Sequence, residues 1–267
     1  MPETLENHVR QFREERGGTQ AQLAEEMGVS RKTVNTVENG VFSPSVIVAL
    51  KFAAALGQVA SRHDATLVVD ADAWGPGVDR VLGLEHVDGV GWEQLAGSHG
   101  RLAARDLREG VPRRGRLGVL TWRQAAVPHL PGAEQVAEVL AAARRGHDVV
   151  VVDLPRLGDS RDQLAAHCDL VVAIVPATVA GVASSIRAVA GLEDPTRAGL
   201  VLRGRGTDEL AAQRATGLPV LATMVSQRGM DEAVDLGLGP VRSFRGPLGR
   251  AAGDVLDRLR LAGRAAA

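Results

Sequence analysis

The sequence predicts an all-α N-terminal domain followed by an α/β domain with a mostly parallel, three-layer sheet. Two patterns carry this expectation. Up to about Gly57, apolar residues recur at helical spacing, punctuated by Gly17, Gly18, Gly28, Gly40 and Pro44, with no strand-like alternation. From Ala65 onward, short runs rich in valine and leucine alternate with alanine- and arginine-rich stretches of helical period, as strands covered by helices on both faces do. A chain of 267 residues has room for a small and a medium domain. The pattern changes near residues 58–64 without a proline- or serine-rich linker, which places the domains at residues 1–60 and 61–258 and leaves 259–267 as a frayed tail.

Composition narrows the function classes. The formal net charge is −1, so there is no global basic field and any contact with nucleic acid has to be local. Cys168 is the only cysteine, which excludes a structural intrachain disulfide, and it lies in a hydrophobic run read as a strand, as a small buried residue. Residues 1–16 are polar without an apolar leader core, and no later segment offers eighteen uninterrupted apolar residues. A soluble cytoplasmic protein without a membrane span is therefore expected.

In the first domain, residues 19–40 read TQAQLAEEMGVSRKTVNTVENG, and each position has a structural use. Thr19 caps a helix, with Gln22 completing a capping box, and Leu23, Met27, Val34 and Val37 form the apolar seam between two helices. Ala24 permits close approach. Gly28 sits at the turn, Ser30 caps the next helix, and Gly40 ends it. That second helix, over residues 30–39, is about 15 Å long, matched to a major groove. Its outward side chains Arg31, Lys32, Thr33, Asn35 and Thr36 reach base edges or phosphates near its start, beside Ser30, while Gln20 and Asn39 are placed to touch the backbone on either side.

This stretch resembles the Cro/CI-like, XRE-type family of helix-turn-helix regulators, over residues 4–57. Residues 9–16, VRQFREER, look like the family's first helix, and residues 39–45, NGVFSPS, like its loop into a fourth. The resemblance implies double-stranded DNA as partner, bound as a dimer through the residues just named. Acids and bases are about equal in the first sixty residues, so affinity depends on two copies binding together.

In the second domain, strands are expected at residues 66–70, 117–122, 148–153, 170–176, 200–202 and 220–224. The first ends in Asp70 and Asp72 before a glycine-rich turn, and the third repeats the design at Asp153. Carboxylates at the carboxyl edge of a parallel sheet lie where such sheets bind ligands, and there a carboxylate can hold Mg²⁺ beside a phosphate chain. Strand-end acids also commonly cap the next helix or turn, and that alternative stands beside the first.

These segments resemble the CpaE-like branch of the MinD/ParA family of P-loop ATPases, through Asp70-Ala71-Asp72-Ala73-Trp74-Gly75, residues 113–122, residues 141–155 and the closing RGPLGR at 245–250. By that resemblance Asp70 and Asp72 match acids near an attacking water, and Asp153 the Walker B acid. The departure is at the start. No strand followed by a glycine-rich phosphate loop precedes Thr66, and the only lysines are Lys32, in the recognition helix, and Lys51, inside an unbroken helical segment. The family's first strand and P-loop are thus missing, replaced by the helix-turn-helix, with residues 46–62 standing where the helix after that loop would be. Without those donors a triphosphate would meet three acids unopposed, so ATPase activity is not expected. The lost strand is central to such sheets, so its neighbours must pair directly, leave a gap, or accept a strand from elsewhere.

The other chemistry-bearing residues read as structural. Trp74, Trp92 and Trp122 are taken as packing residues. The histidines show no metal-ligand spacing, and His63 and His147 stand at helix ends beside acids. The arginine patches at 113, 114 and 116 and at 242, 245 and 250 are taken as solvated faces rather than binding surfaces. Together these readings describe a sequence-specific DNA-binding transcriptional regulator, needing no cofactor and no metal. Its α/β part serves homodimerisation or docking of a protein partner. The α/β resemblance taken alone points instead to a nucleotide switch in septum placement or pilus or secretion assembly, with ATP and Mg²⁺ bound.

Overall fold

The computed structural model describes residues 13, 14, 16–26, 44–96, 100–123, 131–155, 159–225 and 227–266. Cα packing divides the chain into two compact units, residues 1–48 and 49–267.

In the first unit, residues 13 and 14 are helical and the chain turns at Gly17, whose φ of 63° is open to glycine. Arg13 Nη1 donates to Gly18 O at 3.0 Å across this turn. Helix α1 (Gln20–Glu26) follows. Its start is the expected capping box: Gln22 N donates to Thr19 Oγ1 at 3.2 Å, and Thr19 N donates to Gln22 Oε1 at 2.8 Å.

The larger unit carries seven strands among the described residues, in two sheets. The first sheet has the order β2 (Arg113–Arg114), β3 (Leu117–Leu120), β1 (Thr66–Asp70), β4 (Val149–Asp153). The second has the order β5 (Val171–Pro176), β6 (Ala198–Arg203), β7 (Val220–Met224). Every pairing is parallel except the two-residue hairpin of β2 on β3. All six expected strands are present; β2 is the addition.

Helices cover both faces. Helix α2 (Pro44–Ala60) lies against β1 from Ala49 onward: Leu50, Phe52–Leu56 and Ala60 are buried, and Gly57 faces Val68 and Leu117. The other face of β1, through Leu67 and Val69, shares a core with α4 (Trp92–Ala96), α5 (Ala104–Gly110) and α6 (Ala133–Gly146). Helix α3 (Val78–Leu82) precedes them. Around β6, Leu200 and Leu202 pack with α7 (Asp159–Ala166), α8 (Val179–Ala190) and α9 (Glu209–Thr216). After α10 (Met230–Asp235), the long α11 (Pro247–Ala266) packs on β7 and continues as helix through most of the stretch read as a tail.

Several residues differ from expectation. Cys168 lies in the turn between α7 and β5 rather than in a strand, half-buried, its Sγ donating to Leu164 O at 3.4 Å. Trp92 and Trp122 pack as expected, their rings stacked with centroids 5.8 Å apart, but Trp74 is 62 % exposed because its glycine-rich turn leaves the sheet edge. Arg114 and Arg116 are exposed, as expected of a solvated face, and they also hold backbone carbonyls. Arg114 donates to Gly83 O at 2.7 Å and to Gly237 O at 3.2 Å, clamping two turns whose glycine backbones touch, and Arg116 donates to His63 O. Arg250 likewise holds Arg245 O at 2.9 Å. Lys51, in the interior of α2, is paired with Asp231.

Among the described residues, β4 pairs with β1 and β5 with β6, and no pairing joins β4 to β5.

Candidate functional site

Of the residues expected to face nucleic acid, Gln20 is the first residue of α1 and is partly buried. Ser30, Arg31, Lys32, Thr33, Asn35, Thr36 and Asn39 lie outside the described residues.

The second candidate site is brought together at the carboxyl edge of the first sheet. β1 and β4 run in parallel register, so Asp70 falls opposite Asp153, and Asp72 follows two residues after Asp70. Asp70 is fully buried and its oxygens are engaged. Oδ2 accepts from Val78 N at 2.9 Å and from Thr121 Oγ1 at 3.0 Å, and Oδ1 accepts from Asp72 N at 3.2 Å. Its carbonyl accepts from Trp92 Nε1 at 2.7 Å. This carboxyl ties the first N–H of α3 to the end of β3, which is the capping role strand-end acids commonly take. Burial lifts its pKa to about 6 against these hydrogen bonds. Asp72 does similar local work, its Oδ1 accepting from Trp74 N at 3.2 Å in the turn.

Asp153 differs. It is buried, and no hydrogen bond to its carboxyl occurs among the described residues. Burial first, then the charges of Asp70 and Asp72, push its pKa up to about 8, so at neutral pH it is predominantly protonated. Thr121 and Trp92 were not singled out in the sequence as partners of Asp70; nothing in local spacing links them, since the three belong to different elements.

A magnesium ion with a phosphate chain takes ionised carboxylates with free lone pairs. Here two of the three carboxylates are already engaged, Asp70 by three donors and Asp72 by the Trp74 N–H, which leaves Asp153 as the one carboxyl of the set without a hydrogen bond among the described residues. Among the described residues, no set of three or more acid, histidine or cysteine side chains is placed to hold a metal ion. Nor is any described helix long and apolar enough to cross a membrane. His147 ends α6 with Nδ1 3.1 Å from Ala143 O, and burial together with Arg113 and Arg108 lowers its pKa.

Comparison with known proteins gives a consistent picture for both units. A helix-turn-helix family model matches residues 9–60. The protein Rv3660c of Mycobacterium tuberculosis is 33 % identical over 270 residues, which cover 96 % of this chain and 73 % of that one. An HTH-type transcriptional regulator of Methanothermobacter thermautotrophicus is 48 % identical over 50 residues, 19 % of this chain and 72 % of its own. Among solved structures, the MinC:MinD cell division protein complex of Aquifex aeolicus matches with a TM-score of 0.64 at 17 % identity, covering 79 % of this chain and 90 % of that one. A ParA family ATPase from Chlorobium tepidum matches with a TM-score of 0.64 at 16 % identity, covering 79 % and 92 %. The larger unit thus has the MinD/ParA-like fold, and the N-terminal region carries an XRE-type helix-turn-helix.

Proposed function

Because this chain belongs to the family of the Mycobacterium tuberculosis protein Rv3660c, we propose a shared architecture in which an N-terminal reader of double-stranded DNA is carried on a catalytically silent MinD/ParA-like body. In this reading the protein is a cytoplasmic, sequence-specific transcriptional regulator. The observation that carries it is the helix-turn-helix match at residues 9–60, with α1 capped by Thr19 and Gln22. The archaeal relative's designation as an HTH-type transcriptional regulator supports the same conclusion.

Arg31, Lys32, Thr33, Asn35 and Thr36 contact the major groove, with Ser30 capping their helix and Gln20 and Asn39 on the phosphates. The α/β body supplies homodimerisation or a docking place for a protein partner, which gives the near-neutral reader its affinity by pairing two copies. Asp70, Asp72 and Asp153 are structural remnants at the sheet edge rather than parts of a hydrolytic site. The engaged oxygens of Asp70 and the protonated Asp153 support this.

The test is selection of a binding sequence from random duplexes, followed by gel shift with the wild-type chain and with Arg31→Ala and Asn35→Ala. Each variant is expected to lose specific retardation while keeping its circular dichroism. Full specificity in both variants would reject the reading.

A further inference from the structure

We propose that the opening between β4 and β5 is a docking slot for one extended strand of a partner polypeptide, apolar along its length and carrying a lysine or arginine at the end nearest Asp153. This gives the partner-docking role above a location, and it rests on that reading only in assuming that the α/β body serves a partner.

Inner strands of a parallel sheet are buried on both faces. β1 obeys this throughout, and β6 does over Ala198–Leu202. The two strands that flank the interruption do not. In β4, Val149, Val150 and Val152 are partly exposed; in β5, Val171, Val172, Ala173 and Ile174 are. Successive residues of a strand point to opposite faces, so exposure at consecutive positions marks an open edge rather than an uncovered face. The far edge of the second sheet behaves otherwise: in β7, Val220, Leu221, Ala222 and Met224 are buried and α11 packs against the strand.

Each of β4 and β5 has a hydrogen-bonded neighbour on one side, and no backbone bond joins the two among the described residues. Two rows of backbone donors and acceptors therefore border the opening. The likeness to single MinD/ParA-like structures covers 79 % of the chain at a TM-score of 0.64. Leu154, just after β4, already packs into the core of the second half. An extended peptide is the chemistry that satisfies two such edges at once, as in strand addition to exposed sheets.

Side chains set the composition of the occupant. The lining from Val149 to Val152 and from Val171 to Val175 is uncharged and mostly β-branched, which favours valine, isoleucine or alanine opposite it. At the carboxyl end stand Asp70, Asp72 and Asp153, and among the described residues the charged neighbours acting on Asp153 are the other two acids. A basic residue there would relieve like-charge repulsion.

The probe is an acetylated ten-residue peptide of alternating valine and alanine ending in lysine, added to the full chain and followed by calorimetry and amide hydrogen exchange. Saturable binding is expected, with new protection confined to residues 149–153 and 171–176. The same peptide ending in glutamate should bind at least tenfold more weakly. Val172→Asp should abolish binding, and if that variant loses its circular dichroism, the milder Ile174→Gln should weaken binding with the fold intact.

No protection at either strand, or equal affinity for the two peptides, overturns the proposal. Protection that rises with protein concentration alone assigns the slot to a second copy and overturns the partner. DNA binding in the gel shift is read separately, so failure here leaves the regulator reading standing, and failure there leaves the slot measurable.

Discussion

Asp70 and Asp153 stand directly opposite one another as the last register pair of β1 and β4, two acids side by side in a buried sheet edge. Their pKa values are raised to about 6 and about 8, whereas unfolded both return to the ordinary carboxylate range. Between those values the native state binds more protons than the unfolded chain. Stability from this pair is therefore fully present in acid and falls as pH rises through about 6 and then about 8.

Asp153→Asn removes the larger part of that dependence, since an amide has no proton to lose. Urea denaturation should show the variant more stable than wild type by on the order of 2 to 4 kcal/mol at pH 8.5. Near pH 4 the two should lie close together. Parallel pH dependences in the two proteins would show that Asp153 is not held protonated by the fold.

Asp70 contributes differently, through its hydrogen bonds. Asp70→Ala leaves Val78 N and Thr121 Oγ1 without their acceptor in a buried site, and should destabilise the chain by roughly 2 to 4 kcal/mol. Asp70→Asn keeps an acceptor oxygen and should lose much less. Equal losses in the two variants would mean that charge, not capping, is what Asp70 supplies.

Much of this arrangement was legible in the sequence because it is local. The valine-rich runs gave strands within one or two residues of β1, β4, β5 and β7, and Thr19 with Gln22 marked a helix start that the structure forms as a capping box. What escaped depends on chain-distant partners. Thr121 meets Asp70 across 51 residues, and Arg114 reaches Gly237 across 123, so an exposed arginine also serves as a clamp on two turns. Trp74 went the other way. Its size suggested packing, yet Trp74 is 62 % exposed, and among the described residues no element covers its turn.

Gly57 illustrates a conflict between local and tertiary preference. Alanine in a helix interior is favoured over glycine by about 1 kcal/mol. At this position, however, a Cβ would sit 2.4 Å from Val68 Cγ2 and 3.1 Å from Leu117 Cδ1, so α2 would have to move off β1. Gly57→Ala is expected to be net destabilising by about 1 to 3 kcal/mol in thermal or urea denaturation. A stabilised variant would show that the helix and strand have room to part.

Thr19→Ala probes the smaller unit. Losing the side chain that receives Gln22 N should destabilise α1 by about 1 kcal/mol. If Thr19 acts only by capping α1, operator and non-specific DNA should be weakened by the same factor, in contrast to Asn35→Ala, which should lower operator affinity by about 5- to 150-fold and relax sequence preference. Selective loss of operator binding in Thr19→Ala would mean that this side chain contacts bases rather than capping a helix.

The proposed silence of the α/β body makes the last prediction a binding measurement. A nucleotide triphosphate needs cationic or N–H donors for its charge and ionised carboxylates for its magnesium. Lys51 is paired with Asp231, Asp70 is tied to Val78, Thr121 and Asp72, and Asp153 carries a proton at neutral pH. Titration of the full chain with Mg-ATP at millimolar concentration is expected to give a flat calorimetric trace at pH 7, and Asp153→Ala should leave it flat. Saturable, magnesium-dependent heat that the same substitution weakens would restore a nucleotide switch and remove the silent-body reading.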